Sequence, residues 1–409
     1  MGLGSIIGTG IFVSIAIATQ VAGNGVIVAI VIAAVLAACN GLSSAQLAAA
    51  HPVSGGTYEY GYRFLSSWFG FSAGLMFLIA KSASAATAVL GSVGYLFYSL
   101  NIESDVWLRT GAGLLLLVIM TSLVSGGISR SNSANKAIVS LTLAGLAALV
   151  ITALFTHGVP TRPVVNAFTD TSTSSILYAS ALMFVAYTGY GRIATLGEEV
   201  SEPRQTIPKA IILAMVLIVI LYLTVSLTAL QVMGAGSFGQ TVEGEAAPLM
   251  MVAQALGVPV IGGVVTIAAI TAMLGVLLNL ILGLSRVMLS MARRKDLPGA
   301  LAAVHPKTQS PAPAVWATGL VIGLLVLSGD VVFTWSFSAF TVLIYYAITN
   351  LSALLMPAEL RLYPRWVPIS GLLGCLFLAF WIEPAIWLLG SSILIIGLIW
   401  HAVSLSFRK

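Results

Sequence analysis

Apolar runs of helix length, separated by short stretches of Gly, Pro and charged residues, repeat along the whole chain. A hydrocarbon core of about 30 Å takes roughly 20 helical residues, and twelve runs meet that need. They fall near residues 2–20, 25–49, 67–98, 106–128, 135–157 and 175–195, then near 209–233, 258–288, 313–328, 331–356, 366–382 and 385–405. With no water to satisfy backbone N–H and C=O groups, each run is expected to be a helix. The polar intervals between them, longest near 158–175, 234–257 and 293–312, hold no soluble domain. The pattern predicts an all-α polytopic membrane protein: one domain over 1–409 with about twelve transmembrane helices.

Composition agrees. Hydrophobic residues make up 59% of the chain and charged residues 8%, a balance for which lipid is the solvent. Cys39 and Cys375 both lie in apolar runs and read as small packing residues, with no disulfide framework. The first run begins almost at Met1 without a basic leader or a small-residue cleavage site, so it reads as a retained helix.

The net charge of +5 matters through its distribution. If the N-terminus is cytoplasmic, fifteen of the eighteen Lys and Arg residues, among them Arg63, Arg130, Arg204, Arg286, Arg293, Lys307 and Arg365, fall on the inner side. The outer loops hold only Arg109 and Arg162, alongside acids such as Glu103, Asp170, Glu243 and Asp330. This asymmetry is the positive-inside rule: it puts both termini in the cytoplasm and assigns the basic residues to membrane topology, with no nucleic-acid partner. The short loops suit a bacterial inner membrane.

Two runs are interrupted by glycine: Gly4-Ser5-Ile6-Ile7-Gly8-Thr9-Gly10 in the first and Tyr187-Thr188-Gly189-Tyr190-Gly191 in the sixth. Glycine costs about 1 kcal/mol relative to alanine in a helix. Interrupted spans at matching positions in two halves point to a transport site between repeats, whereas glycines that only let helices approach closely are the competing explanation. A phosphate-binding loop or dinucleotide fingerprint is disfavoured, because no strand precedes Gly4 and no Lys-Ser/Thr or ribose-binding acid follows at the required spacing.

At these residues the chain resembles the amino acid/polyamine/organocation (APC) superfamily, through Gly8-Thr9-Gly10-Ile11-Phe12. The strings His51-Pro52-Val53-Ser54-Gly55-Gly56-Thr57-Tyr58, Gly197-Glu198-Glu199-Val200-Ser201-Glu202-Pro203 and Ser285-Arg286-Val287-Met288 through Asp296-Leu297-Pro298 extend the likeness in the same order. The resemblance implies a five-plus-five inverted-repeat (LeuT-like) core, with repeats near 1–157 and 175–356, and two further helices near 366–405. It also implies a permease or exchanger that moves amino acids by alternating access, with no enzymatic chemistry, cofactor or metal.

An unwound first helix offers backbone N–H groups and a positive dipole end to a carboxylate, a role that Gly8, Thr9 and Gly10 match. By resemblance, the carbonyls of Ile6, Val185 and Thr188 around Gly189 would receive the ammonium. Tyr187 and Tyr190 are candidates for an aromatic gate, against the plainer role of buried tyrosines in packing.

Lys81 is the one ionisable residue expected near mid-membrane. It follows Ser67 by fourteen residues, about 21 Å of helix, too deep to snorkel easily. A charge at that depth costs at least about 2.5–3.5 kcal/mol, so Lys81 is expected to serve substrate or coupling. By resemblance, Gly94-Tyr95-Leu96 sets the register of the third helix and turns Lys81 and Ala85 toward the substrate side chain. Many sodium-independent relatives carry a lysine in the fifth helix where this chain has Thr142. Coupling therefore reads as H⁺ through Lys81 or exchange, with Na⁺ near Thr142 and Thr271 less favoured. The four histidines, His51, His157, His305 and His401, read as interfacial, without the clustering a metal site needs.

A pocket with Lys81 and no intramembrane carboxylate favours neutral or acidic amino acids over the alternative, polyamines and other organic cations. A ligand-sensing membrane protein of the same fold would call for a signalling domain, which the sequence does not contain. Oligomeric state has no signature.

Overall fold

The computed structural model describes residues 7–52, 55–127, 132–161, 163, 165, 171–191, 202–244, 246–305 and 309–406. Among them the regular elements are all helical. They are α1 (Ile15–Ala22), α2 (Val26–Ala50), α3 (Thr57–Phe64), α4 (Ser67–Ser99), α5 (Val106–Ser125), α6 (Asn132–His157), α7 (Thr173–Tyr187) and α8 (Pro203–Met233). There follow α9 (Ala235–Gln240), α10 (Pro248–Ala255), α11 (Pro259–Arg293), α12 (Ala312–Val326), α13 (Val331–Leu355), α14 (Trp366–Ala379) and α15 (Pro384–Ser406).

Each of the twelve apolar runs contains a helix. Among the described residues eight continuous stretches are long and apolar enough to cross a bilayer, one of which, Gly10–Ala50, carries two runs joined at a short 3₁₀ turn. The remaining runs give the shorter α7, α12 and α14.

Local chemistry sets the boundaries. Asp105 and Asp330 cap α5 and α13, their carboxylates accepting from Leu108 N at 2.7 Å and from Val332 N at 2.7 Å, which satisfies donors that have no partner within the helix. Pro203, Pro248 and Pro259 open α8, α10 and α11, where a missing N–H costs nothing. Gly23, at φ +51°, ends α1 in a conformation that glycine adopts without strain.

The helices α4 and α13 form the centre, packed against each other along their length. In their most apolar stretches 83% of residues are buried, against 17% in α15. Hydroxyl pairs bind the two together: Ser84 to Ser338 at 2.7 Å and Thr87 to Thr334 at 2.8 Å. Around them α2 packs on α7 and α8, and α11 on α4 and α6.

Three features depart from the sequence reading. The segment after α2 contains an eight-residue helix, α3, too short to declare itself by periodicity. His401 is fully buried: its ring stacks on Phe71 at 4.6 Å and its Nδ1 lies 3.4 Å from Asp296. Arg286, counted with the inner-side cations, lies inside α11 two turns before its end and borders a cavity.

Candidate functional site

Regular α-helix in the first span starts only at Ile15. Before it, Gly10–Ser14 form a π-turn and Ile7–Gly8 a bend. Gly8 and Gly10 are required by close approach. A methyl on Gly10 would lie 2.5 Å from the Tyr222 hydroxyl and 3.0 Å from Ala186 Cβ, and one on Gly8 would lie 2.5 Å from Val276 Cγ2. The sixth span breaks in register with this turn: α7 ends at Tyr187 and gives way to a 3₁₀ turn, Thr188–Tyr190. Tyr222 fastens the crossing, donating to Ala186 O at 2.9 Å.

Between the two breaks lies a cavity of about 170 Å³. Thr9 and Gly10 border it on one side, Val185, Thr188 and Gly189 on another, and Lys81 and Ser84 of α4 on a third. It continues past Asn279 and Gly283 of α11 to Gly55, Gly56 and Tyr58 at the start of α3. Among the described lining residues Lys81 and Arg286 are charged, and none is acidic.

Lys81 Nζ donates to Thr188 Oγ1 at 2.8 Å, and Thr188 Oγ1 donates to Val185 O at 2.7 Å. The lysine thus reaches from α4 across the cavity to the broken turn of the sixth span. Tyr346 Oη donates to Thr188 O at 3.4 Å. A carbonyl oxygen has two lone pairs, and both carbonyls are in use: Val185 O also accepts from Thr188 N, and Thr188 O from Gly191 N, so an ammonium group binds there only by displacing one of these donors.

The other residues singled out in the sequence fall elsewhere. Ala85 is buried off the lining, where Ser84 stands instead. Gly8 packs on α11 rather than bordering the cavity. Tyr187 and Tyr190 also lie off the lining: Tyr187 Oη donates to Ile30 O at 3.2 Å, and the Tyr190 ring packs on Tyr346 at 5.6 Å. The hydroxyls of Thr142 and Thr271 donate to carbonyls of their own helices, Ile138 O and Ile267 O, and neither borders the cavity. Ile6 lies outside the described residues.

The aromatic wall comes from positions the sequence did not mark: Trp335, Tyr345 and Tyr346 of α13, with Phe77 of α4. Phe77 meets Tyr345 at 5.3 Å and Tyr345 meets Tyr346 at 4.9 Å. Trp335 Nε1 is held by Leu182 O at 3.0 Å. The available signal was the density of Ser, Thr and aromatic residues in 331–350, unusual for a lipid-facing span.

The mouth of the cavity is fastened by buried charge. Asp296, just after α11, accepts from the hydroxyls of Tyr58 and Tyr62 on α3, each at 2.7 Å. Arg294 bonds Glu59 at 2.7 Å and lies over the Tyr62 ring at 4.2 Å. Burial, and after it the hydrogen bond to Asp296, push the Tyr58 phenol well above its ordinary pKa. From α15, Trp400 Nε1 donates to Asp296 O at 2.9 Å and Ser404 to Lys295 O at 2.8 Å.

The arrangement therefore offers helix-start N–H groups and a lysine to an anionic group, and a mixed apolar and aromatic wall beside them. Comparison with known proteins points the same way. An uncharacterized transporter of Mycobacterium tuberculosis is 38% identical over 403 residues, covering 98% of this chain and 89% of the relative. The branched-chain amino acid permease BcaP of Bacillus subtilis is 29% identical over 342 residues, 80% of this chain and 72% of the relative. A vacuolar cationic amino acid transporter of Arabidopsis thaliana is 25% identical over 349 residues, 81% and 57% of the two chains. With a match to the amino acid permease family over residues 1–406, the chain belongs to that family of membrane transporters.

Proposed function

We propose that this permease carries neutral or acidic amino acids by alternating access around the cavity between the two broken spans, with Lys81 as the site of proton coupling. The observation that carries the reading is the pairing of Lys81 and Arg286 with no carboxylate among the described lining residues. A cleft of one sign with low-dielectric walls concentrates the opposite charge, which favours substrates that bring a carboxylate and no excess cation. In this reading the carboxylate docks at Thr9 and Gly10, the ammonium at the carbonyls of Val185 and Thr188 in place of the Thr188 and Tyr346 hydroxyls, and the side chain against Phe77, Trp335 and Val276.

Lys81 is held by a neutral hydroxyl, so its proton is not locked in an ion pair and is free to leave during the cycle. Repeats near 1–157 and 175–356 place the two breaks at corresponding positions, as expected of inverted halves. The charge asymmetry of the loops supports cytoplasmic termini, the short loops suit a bacterial inner membrane, and α3 with the cavity mouth then faces inward.

The test is uptake of a radiolabelled amino acid panel into proteoliposomes under imposed proton or sodium gradients, comparing the native chain with Lys81→Ala. Uptake of a neutral or acidic amino acid that is driven by protons, and that loses this drive in Lys81→Ala, is the expected result. Sodium-driven uptake indifferent to Lys81 overturns the coupling role, and selective uptake of polyamines overturns the substrate class.

A further inference from the structure

One buried hydroxyl joins the substrate turn to a segment far from the cavity mouth. Tyr95 of α4 is fully buried, and its Oη donates to Phe12 O at 3.0 Å and accepts from Leu249 N at 3.0 Å. Phe12 sits in the π-turn whose first residue, Gly10, lines the cavity. Leu249 sits in the first turn of α10.

Both partners are groups that the backbone leaves over. The first N–H groups of a helix lack intrahelical acceptors, and α10 has no side-chain cap of its own, its N-cap being Ala247. A π-turn shifts its carbonyls out of the i→i+4 pattern. The phenol serves as a cap supplied from another helix, and its ring also meets Phe12 edge-on at 6.1 Å. Gly91, one turn earlier on α4, lets the same helix come close to the turn: a methyl there would lie 3.1 Å from Val13 Cγ2.

The segment that Tyr95 holds covers the end of the bundle opposite α3, where α1, α4 and α8 finish. Gly239 of α9 lies against the backbone of Thr19 and Gln20, leaving no room for a side chain. Gln20 Nε2 donates to Glu243 at 3.0 Å, and Tyr98, one turn beyond Tyr95, donates to Gln254 at 2.5 Å. Residues 235–244 and 246–255 therefore carry several clasps to the bundle, as a lid would, and Tyr95 is bonded both to this segment and to the π-turn.

We propose that Tyr95 is a positioning residue for transport, its hydroxyl tying the π-turn to the lid so that the lid opens when the turn changes its hydrogen-bond register. This rests on the cavity being the transport site, but its test needs no substrate. Tyr95→Phe removes the hydroxyl and keeps the ring, whereas Tyr98→Phe removes the donor to Gln254 on the lid and leaves the Tyr95 hydroxyl in place. With Cys39 and Cys375 replaced by Ser, Thr19→Cys places a thiol under α9, to be labelled by a membrane-impermeant reagent on the lid face.

Loss of both hydrogen bonds is expected to speed labelling roughly tenfold. Amide exchange of the native chain, Tyr95→Phe and Tyr98→Phe in detergent separates the roles: Tyr95→Phe is expected to speed exchange in both 10–14 and 248–255, Tyr98→Phe in 248–255 alone. Unchanged labelling, or faster exchange confined to the lid in both variants, overturns the proposal. Where Tyr95→Phe does not insert, the native chain decides: amides of 10–14 and 248–255 opening together, with one dependence on denaturant, support the tie, and independent opening overturns it. Failure of the uptake panel would remove the substrate and coupling reading and leave this tie standing.

Discussion

Gly10 shows how a single missing methyl group sets the geometry of the site. Its neighbours are the Tyr222 hydroxyl and Ala186, so Gly10→Ala forces the phenol away from Ala186 O and separates the two broken turns. Overpacking of this kind costs about 1–3 kcal/mol, and uptake in proteoliposomes is expected to fall at least tenfold. Gly111→Ala on α5 is the control. Nothing lies within 4 Å of the added methyl, so the variant is expected to transport normally and to melt no lower than the native chain in detergent. Residues of this kind divide by legibility. Lys81 declared itself, because a lone cation in an apolar run is expensive under any fold. Trp335, Tyr345 and Tyr346 did not, because an aromatic residue in an apolar run reads equally as packing until the facing helices are known. His401 was misjudged for a similar reason: a place near a helix end carries no information about the Phe71 ring it stacks on.

At the scale of elements, the apolar runs announced the helices and the interrupted glycines announced the breaks, while α3 stayed hidden in a string too short for a helical period. What gives α3 its place is the anionic contact of Asp296 with Tyr58 and Tyr62, a pairing of residues more than 230 positions apart that local pattern cannot reveal. A hydrogen bond to a charged group is worth about 1.5–3 kcal/mol. Asp296→Asn is therefore expected to lower the melting temperature of the purified protein by several degrees and to make Tyr58 and Tyr62 more accessible to tyrosine-modifying reagents. An unaltered melting curve and unaltered modification would show that α3 is held by packing alone. The paired breaks lie at a different level of legibility: the sequence located both, but the bond from Lys81 of α4 to Thr188 of the second break appears only once the spans are packed together.

For the whole molecule, topology is the prediction that charge makes. With cytoplasmic termini, a cysteine at Asn101, in the exposed link between α4 and α5, is expected to react with an impermeant thiol reagent in intact cells, whereas one at Glu359, on the opposite side, is expected to react only after permeabilisation. Reversal of the two results would invert the molecule and turn the cavity mouth outward. The central layer of α4 and α13 and the lipid-facing position of α15 follow from burial, which composition alone does not disclose, since all these spans are similarly apolar.

The last helix illustrates what such a layered assembly permits. α15 touches nothing in the cavity, yet Trp400 and Ser404 grip the backbone at Asp296 and Lys295 while His401 borders the same carboxylate. It works as the hasp on a door whose hinge lies elsewhere. Pressure on the outermost helix, from lipid or from a neighbouring protein, is thereby handed to the residues that hold α3 in place, without passing through the cavity.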